Sequence, residues 1–179
     1  MEISTRSQLI QDLENSFQAI INWINEQPES HFNKIMVEGK WSIAGHLYHL
    51  LKSTKAVTQG MKMPKLGLRT MFGKCNRTER TYDEIVEKYH NVVVKNSFKT
   101  LSAYEAESGR TFERSALIQR FESELNDFIK AFEKWKDTDI SVYVMLHPAI
   151  GKLTIREFVL FTTLHTNHHL NILKKDYTK

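Results

Sequence analysis

TIREFVLFTTLHTNHHLNILKK, residues 154–175, carries the strongest structural signal in this 179-residue chain. Thr154 followed three residues later by Glu157 is a capping box. In that motif the hydroxyl accepts one otherwise unpaired backbone N–H, and the carboxylate reaches back to another. Leu153 and Phe158 stand at the two positions of a hydrophobic staple. Pro148 and Gly151 punctuate the segment before it. A helix is therefore predicted over Ile155–Lys175. With Ile155 as zero and about 100° per residue, Phe158, Phe161 and Ile172 fall between about 240° and 300°. His165 and His169 fall at about 280° and 320° on the same wheel. Both imidazoles thus lie within the apolar stripe, with Arg156, Thr163, Asn167 and Lys174 on the opposite side. His168 falls at the edge of the stripe, a position suited to packing or to supporting a neighbour.

Imidazoles on a buried face need polar partners. A metal ion can serve both, and four residues is the spacing at which two helical histidines reach one ion. The chain has eight histidines, so this spacing alone is a weak signal. The inward position gives it weight. The competing arrangement is two buried histidines hydrogen-bonded to carbonyls or carboxylates.

Three more long helices follow from period. One spans Ser7–Glu26, with Leu9, Leu13, Phe17, Ile20 and Ile24 on its stripe. A second spans Ile43–Met61, with Ser42 as N-cap. A third spans Ala116–Trp135, with Leu117, Phe121, Leu125, Phe128 and Phe132 on its stripe. The long connection between the second and third reads as irregular apart from a short helix near Asp83–His90. The fold class expected is an all-α four-helix bundle forming a single domain, 1–179.

A third metal ligand must come from another helix. The second helix offers His46, flanking the stripe, and His49, in a lane with Gly45, Ser53 and Ala56. Small residues in that lane leave room for an ion, a water and part of a substrate, which favours His49. Periodicity alone leaves His46 and His49 both open. His31, His90 and His147 fall in loops or short segments, where local hydrogen bonding is the expected role.

Composition narrows the class. Apolar residues make up 41% and charged residues 26%, the balance of a soluble globular protein. No run approaches the roughly 18 apolar residues that span a bilayer. The net charge of +4 is dispersed, with acidic and basic residues interleaved along the helices. The densest basic stretch, Lys62–Arg80, also holds Met61, Met63, Leu66, Leu68, Met71 and Phe72, so it reads as a solvated connector with apolar anchors. Neither nucleic acid nor membrane is expected as a partner. A single cysteine, Cys75, excludes an intramolecular disulfide and points to a reducing compartment. The first residues carry no apolar leader core, so a cytoplasmic location is expected.

At these residues the chain resembles the DinB-like superfamily, also called DinB/YfiT-like. KWSIAGHLYHL, residues 40–50, is similar to the family's second-helix motif, and the matching ligand is His49. HPAIGKLTIREF, residues 147–158, is similar to its His-Pro-x-x-Gly approach to the last helix. LHTNHHL, residues 164–170, is similar to its H-x-x-H-H pattern, whose outer histidines match His165 and His169. The chain departs from the pattern at Ile172, where many members carry Gln or His. The resemblance implies an up-down-down-up bundle, a homodimer, and Zn or Ni held by His49, His165 and His169. Of three readings, transfer involving a low-molecular-weight thiol such as bacillithiol or mycothiol, which the resemblance implies, ranks first. A non-enzymatic dimeric module with a structural or absent metal ranks second, and a metal-dependent hydrolase third. Leu160 and Leu164 lie off the histidine face and could serve the dimer. Glu157 is expected to be occupied by its capping box rather than free as a general base.

Overall fold

The computed structural model describes residues 5–95 and 110–177. They are mostly helical. The four long helices are α1 (Arg6–Asn25), α3 (Ile43–Met61), α6 (Arg114–Glu133) and α8 (Ile155–Tyr177). Shorter helices lie between them: α2 (Glu29–Phe32), α4 (Lys65–Phe72), α5 (Tyr82–Tyr89) and α7 (Asp137–Ile140). α5 runs on into a π-helical segment, His90–Lys95.

Side-chain caps fix where the long helices begin, because the first N–H groups of a helix have no partner within it. Thr5 accepts the N–H of Gln8 at 3.2 Å, so α1 starts one residue earlier than predicted. Ser42 accepts that of Gly45 at 3.0 Å. Glu113 accepts those of Ser115 and Ala116, which moves the start of α6 ahead of Ala116. At α8 the capping box forms as expected: Glu157 N–H reaches Thr154 Oγ1 at 3.1 Å, and Thr154 N–H reaches Glu157 Oε2 at 2.9 Å.

α1 packs beside α8 and α6, and α3 packs beside α6 and α8. Arg6, at the start of α1, donates to the carbonyls of Phe132 and Trp135 at the end of α6, at 2.9 and 2.6 Å. Trp135 Nε1 donates to the carbonyl of Met61 at the end of α3, at 3.1 Å. Trp23 and Tyr177, near the ends of α1 and α8, meet edge to face at 6.3 Å. The core between these helices is one apolar cluster. At its centre Phe17 and Phe121 stack, ring centroids 4.2 Å apart and 8° from parallel. Each buried ring of this size contributes about 1.5–3 kcal/mol through surface removed from water.

Three features depart from the sequence reading. First, part of the middle connection is helical where it reads as irregular: α4 starts after Pro64 and buries Leu68, while Leu66 and Met71 stay exposed. Only some of the expected apolar anchors therefore anchor. Second, the segment before α8 is an antiparallel hairpin, β1 (Val144–His147) and β2 (Gly151–Thr154). Its three-residue loop, Pro148–Ile150, ends at Gly151 with φ 76°, a left-handed position that glycine adopts without strain. Third, the side of α8 expected to be polar is covered in part: Arg156 and Asn167 are half-buried and Lys174 is exposed. Thr163 is buried, and its hydroxyl donates to the carbonyl of Val159 at 3.2 Å. Helices α1, α3 and α5 all contact α8, and the exposed residues of α8, Asn171, Lys174 and Lys175, lie in its C-terminal part.

Candidate metal centre

The site sits where α3 and α8 face each other. From Ile43 to Leu51, α3 is buried without a break, so its wheel shows no single inward stripe there. That is why period cannot choose between His46 and His49: both are inside, 4% and 6% exposed. Geometry separates them. His49 Nε2 stands 3.1 Å from His165 Nε2, and His165 Nε2 stands 3.1 Å from His169 Nε2. One nitrogen from each of His49, His165 and His169 lies within 4.8 Å of the other two. His46 stands behind them, its Nδ1 2.7 Å from Nδ1 of His169.

Neutral imidazoles are required here. Burial, then the neighbouring His49, pushes His165 well below its ordinary value. Burial, then His165, does the same to His169. His46 is pushed down to about 3, again by burial first and His49 second. A neutral imidazole has one N–H and one lone pair, and Nε2 of His165 faces two other Nε2 atoms at once. Hydrogen bonds within the trio cannot use that convergence fully, whereas one cation accepts three lone pairs together. Tetrahedral coordination at about 2.05 Å places ligand nitrogens about 3.3 Å apart, close to the two 3.1 Å spacings that His165 makes, while all three nitrogens stay within 4.8 Å of one another. The donor set therefore fits one divalent ion.

With Nε2 of His169 turned to the ion, its proton lies on Nδ1 and donates to Nδ1 of His46. The proton of His46 is then on Nε2, an atom that is buried with no partner among the described residues. Trp41 covers this end of the site: its ring lies 5.0 Å from that of His49 and stacks over His169, 4° from parallel at 6.2 Å.

Beside the trio opens a cavity of about 410 Å³. Ser53, Ala56 and Gly60 continue the lane of His49 along one wall, so two of the small residues expected there make room as predicted. Gly45 does not reach the cavity, and Gly60 takes its place: a Cβ at Gly60 would stand 2.5 Å from Met145 Sδ. Ile172 lines the cavity too, adding apolar surface where the family pattern departs. His168 lines it beside Tyr89, ring to ring at 5.2 Å. His147 accepts N–H groups of its own loop, as expected, and also reaches the same cavity from the hairpin. The sequence signal for it was the His-Pro-x-x-Gly segment, but nothing in the segment's period reveals a hairpin that turns it inward. His31 and His90 lie outside the lining.

Glu157 is not available as a base at this site. It is fully buried, and Arg77 grips both its oxygens at 2.7 Å while the N–H of Arg80 reaches it at 2.6 Å. Burial alone would raise its carboxyl, but Arg77 and those N–H groups outweigh it and hold the carboxyl below its ordinary value.

The sequence pattern of the DinB superfamily matches residues 12–173, nearly the whole described chain. The chain belongs to the DinB superfamily. Among solved structures, YfiT from Bacillus subtilis matches with a TM-score of 0.61 at 16% identity. The match covers 98% of this chain and 89% of that one. YfiT is described as a probable metal-dependent hydrolase with an unusual four-helix bundle topology. At this identity the likeness shows the fold. No curated protein matches the chain.

Proposed function

We propose that this DinB-superfamily protein is a metal-dependent enzyme that joins a low-molecular-weight thiol to an electrophile, with His49, His165 and His169 as the ligands of one divalent ion. The observation that carries the reading is the convergence of three buried imidazole nitrogens, within 4.8 Å of one another, on the wall of a cavity. Imidazole donors suit Zn or Ni. Such an ion, when bound, supplies Lewis acidity that lowers the pKa of a thiol or a water. The chain's own residues do the rest. Burial keeps the imidazoles neutral near pH 7, so protons compete little for them. His46 holds the ring of His169 in one orientation. The apolar walls keep water away from the reacting atoms.

A thiol fits better than water as the group activated. No Asp or Glu lines the cavity among the described residues, so no carboxylate stands ready to take a proton from water. A thiol, at pKa about 8.5, needs far less help than water at about 15.7. The hydrolase reading stands second, favoured by the description of YfiT. We also infer an up-down-down-up order of the long helices, supported by the meeting of α1's start with α6's end and of the ends of α3 and α6. The homodimer remains part of the proposal, although Leu160 and Leu164 are half-buried against their own core.

The test is elemental analysis of untagged protein beside His49→Ala and His165→Ala, followed by assays with and without thiol. About one Zn or Ni per chain, lost in both variants, with conjugation lost in parallel, is the expected result. Activity that ignores added thiol would favour hydrolysis. Absence of metal, with melting unchanged by chelator, would favour the non-enzymatic module.

A further inference from the structure

The walls of the cavity beside the trio carry no charge. Among the described residues that line it, none is Asp, Glu, Lys or Arg. Val57, Leu68, Met145, Phe158, Phe161 and Ile172 are among the apolar residues that line it. Moving an ionised group into such surroundings without a partner costs several kcal/mol. The polar atoms that remain belong to neutral side chains, and one of them is held in a single tautomer by the backbone.

That side chain is His147. Its Nδ1 accepts two backbone N–H groups of the hairpin loop, from Ala149 at 3.1 Å and Ile150 at 3.2 Å. A backbone N–H can only donate, so Nδ1 must present its lone pair to both. In a neutral imidazole the proton is then on Nε2. The ring stands edge to face against Phe161, centroids 4.4 Å apart, which fixes its plane. No other hydrogen bond of His147 occurs among the described residues, and its half-buried side chain lines the cavity, so Nε2–H can serve a ligand there. Burial opposes a second proton and lowers the group to about 4, in keeping with the two donors already on Nδ1.

We propose that the cavity takes an uncharged, mostly apolar small molecule with one hydrogen-bond acceptor, and that Nε2–H of His147 holds that acceptor. This rests on the reading of the cavity as the substrate site and names the class of the electrophile: away from the ion, the walls favour a neutral carbonyl compound or its like over a carboxylate or a phosphate.

The test uses the full chain freed of metal by chelator. A carboxylate's affinity for an ion then cannot imitate binding by the cavity, and failure of the metal assignment leaves the result standing. Binding of 2-acetylnaphthalene, 2-ethylnaphthalene and 2-naphthoate is followed by tryptophan quenching. The ketone should bind at least tenfold more tightly than the carboxylate. His147→Phe, which keeps an aromatic ring against Phe161, should weaken the ketone roughly three- to tenfold and leave the hydrocarbon within about twofold. A second measurement needs no variant: the ¹⁵N spectrum of the wild-type protein should show the Nε2–H tautomer at His147, with Nε2 shifting when the ketone is added. Equal affinity for carboxylate and ketone, an equal effect of His147→Phe on ketone and hydrocarbon, or an Nδ1–H tautomer would each overturn the proposal.

Discussion

At the scale of single residues, His46 separates the ion-binding arrangement from a merely packed one. It touches no ion in the proposed site, yet it fixes the tautomer of His169 through a 2.7 Å contact. Partners of this kind change metal affinity by about 10–100-fold when removed. His46→Ala should therefore weaken zinc binding by that factor, measured by competition with a chromophoric chelator, while the far-ultraviolet circular dichroism stays helical. Protons test the same rings in metal-free protein. Burial lowers His46 to about 3 and His147 to about 4, from 6.5 in an exposed side chain. Below pH 6.5 the unfolded chain binds protons that the native chain refuses. Stability is thus complete above that pH and falls as pH drops toward 4, by about 1.4 kcal/mol per pH unit for each such group. Urea titrations at pH 7 and pH 5 check this; equal midpoints would contradict the burial of these rings.

At the scale of elements, the link between α8 and the middle connection is Glu157 with Arg77. Arg77→Ala leaves a fully buried carboxylate held only by backbone N–H groups and the more distant Arg80 guanidinium at 3.6 Å. Breaking a buried pair in this way costs about 3 kcal/mol. The urea midpoint should fall accordingly, and Arg77→Lys should recover only part, because a single ammonium cannot span both oxygens. This link was half legible in the sequence. Thr154 and Glu157 announce a capping box, but nothing local tells that an arginine 80 residues away completes it. The four long helices were legible because Leu, Ile and Phe recur at helical spacing, and three of them begin after Thr or Ser while α6 begins after Glu113. The hairpin was not, since four-residue strands hold too few alternations to be read. Nor was α4, which buries only Leu68 and so leaves almost no period. Of the site, His165 and His169 were readable from one helix and His49 only with the help of the family resemblance; the loop hydrogen bonds of His147 were expected but its place in the cavity was not, because that depends on how a loop folds back.

At the scale of the whole molecule, no helix among the described residues is long and apolar enough to cross a membrane, and the buried apolar side chains among them form one core. A ligand that binds only the folded state stabilises it by about 2.7 kcal/mol at a hundredfold excess over its dissociation constant. For a chain of this length that is worth roughly 5–10 °C in Tm. Zinc should raise the melting temperature by this much and EDTA should reverse it, by differential scanning fluorimetry. His165→Ala should show no response to zinc.

The rings of His49 and His165 are separated by 116 positions along the chain, although their nitrogens stand 3.1 Å apart. An ion gripped between them is a clasp that closes a very long loop, and it cannot stay fastened once the two helices part. Escape of the ion into an excess of chelating dye would then keep time with the opening of the bundle, so that a colour change reports how often the whole protein comes undone.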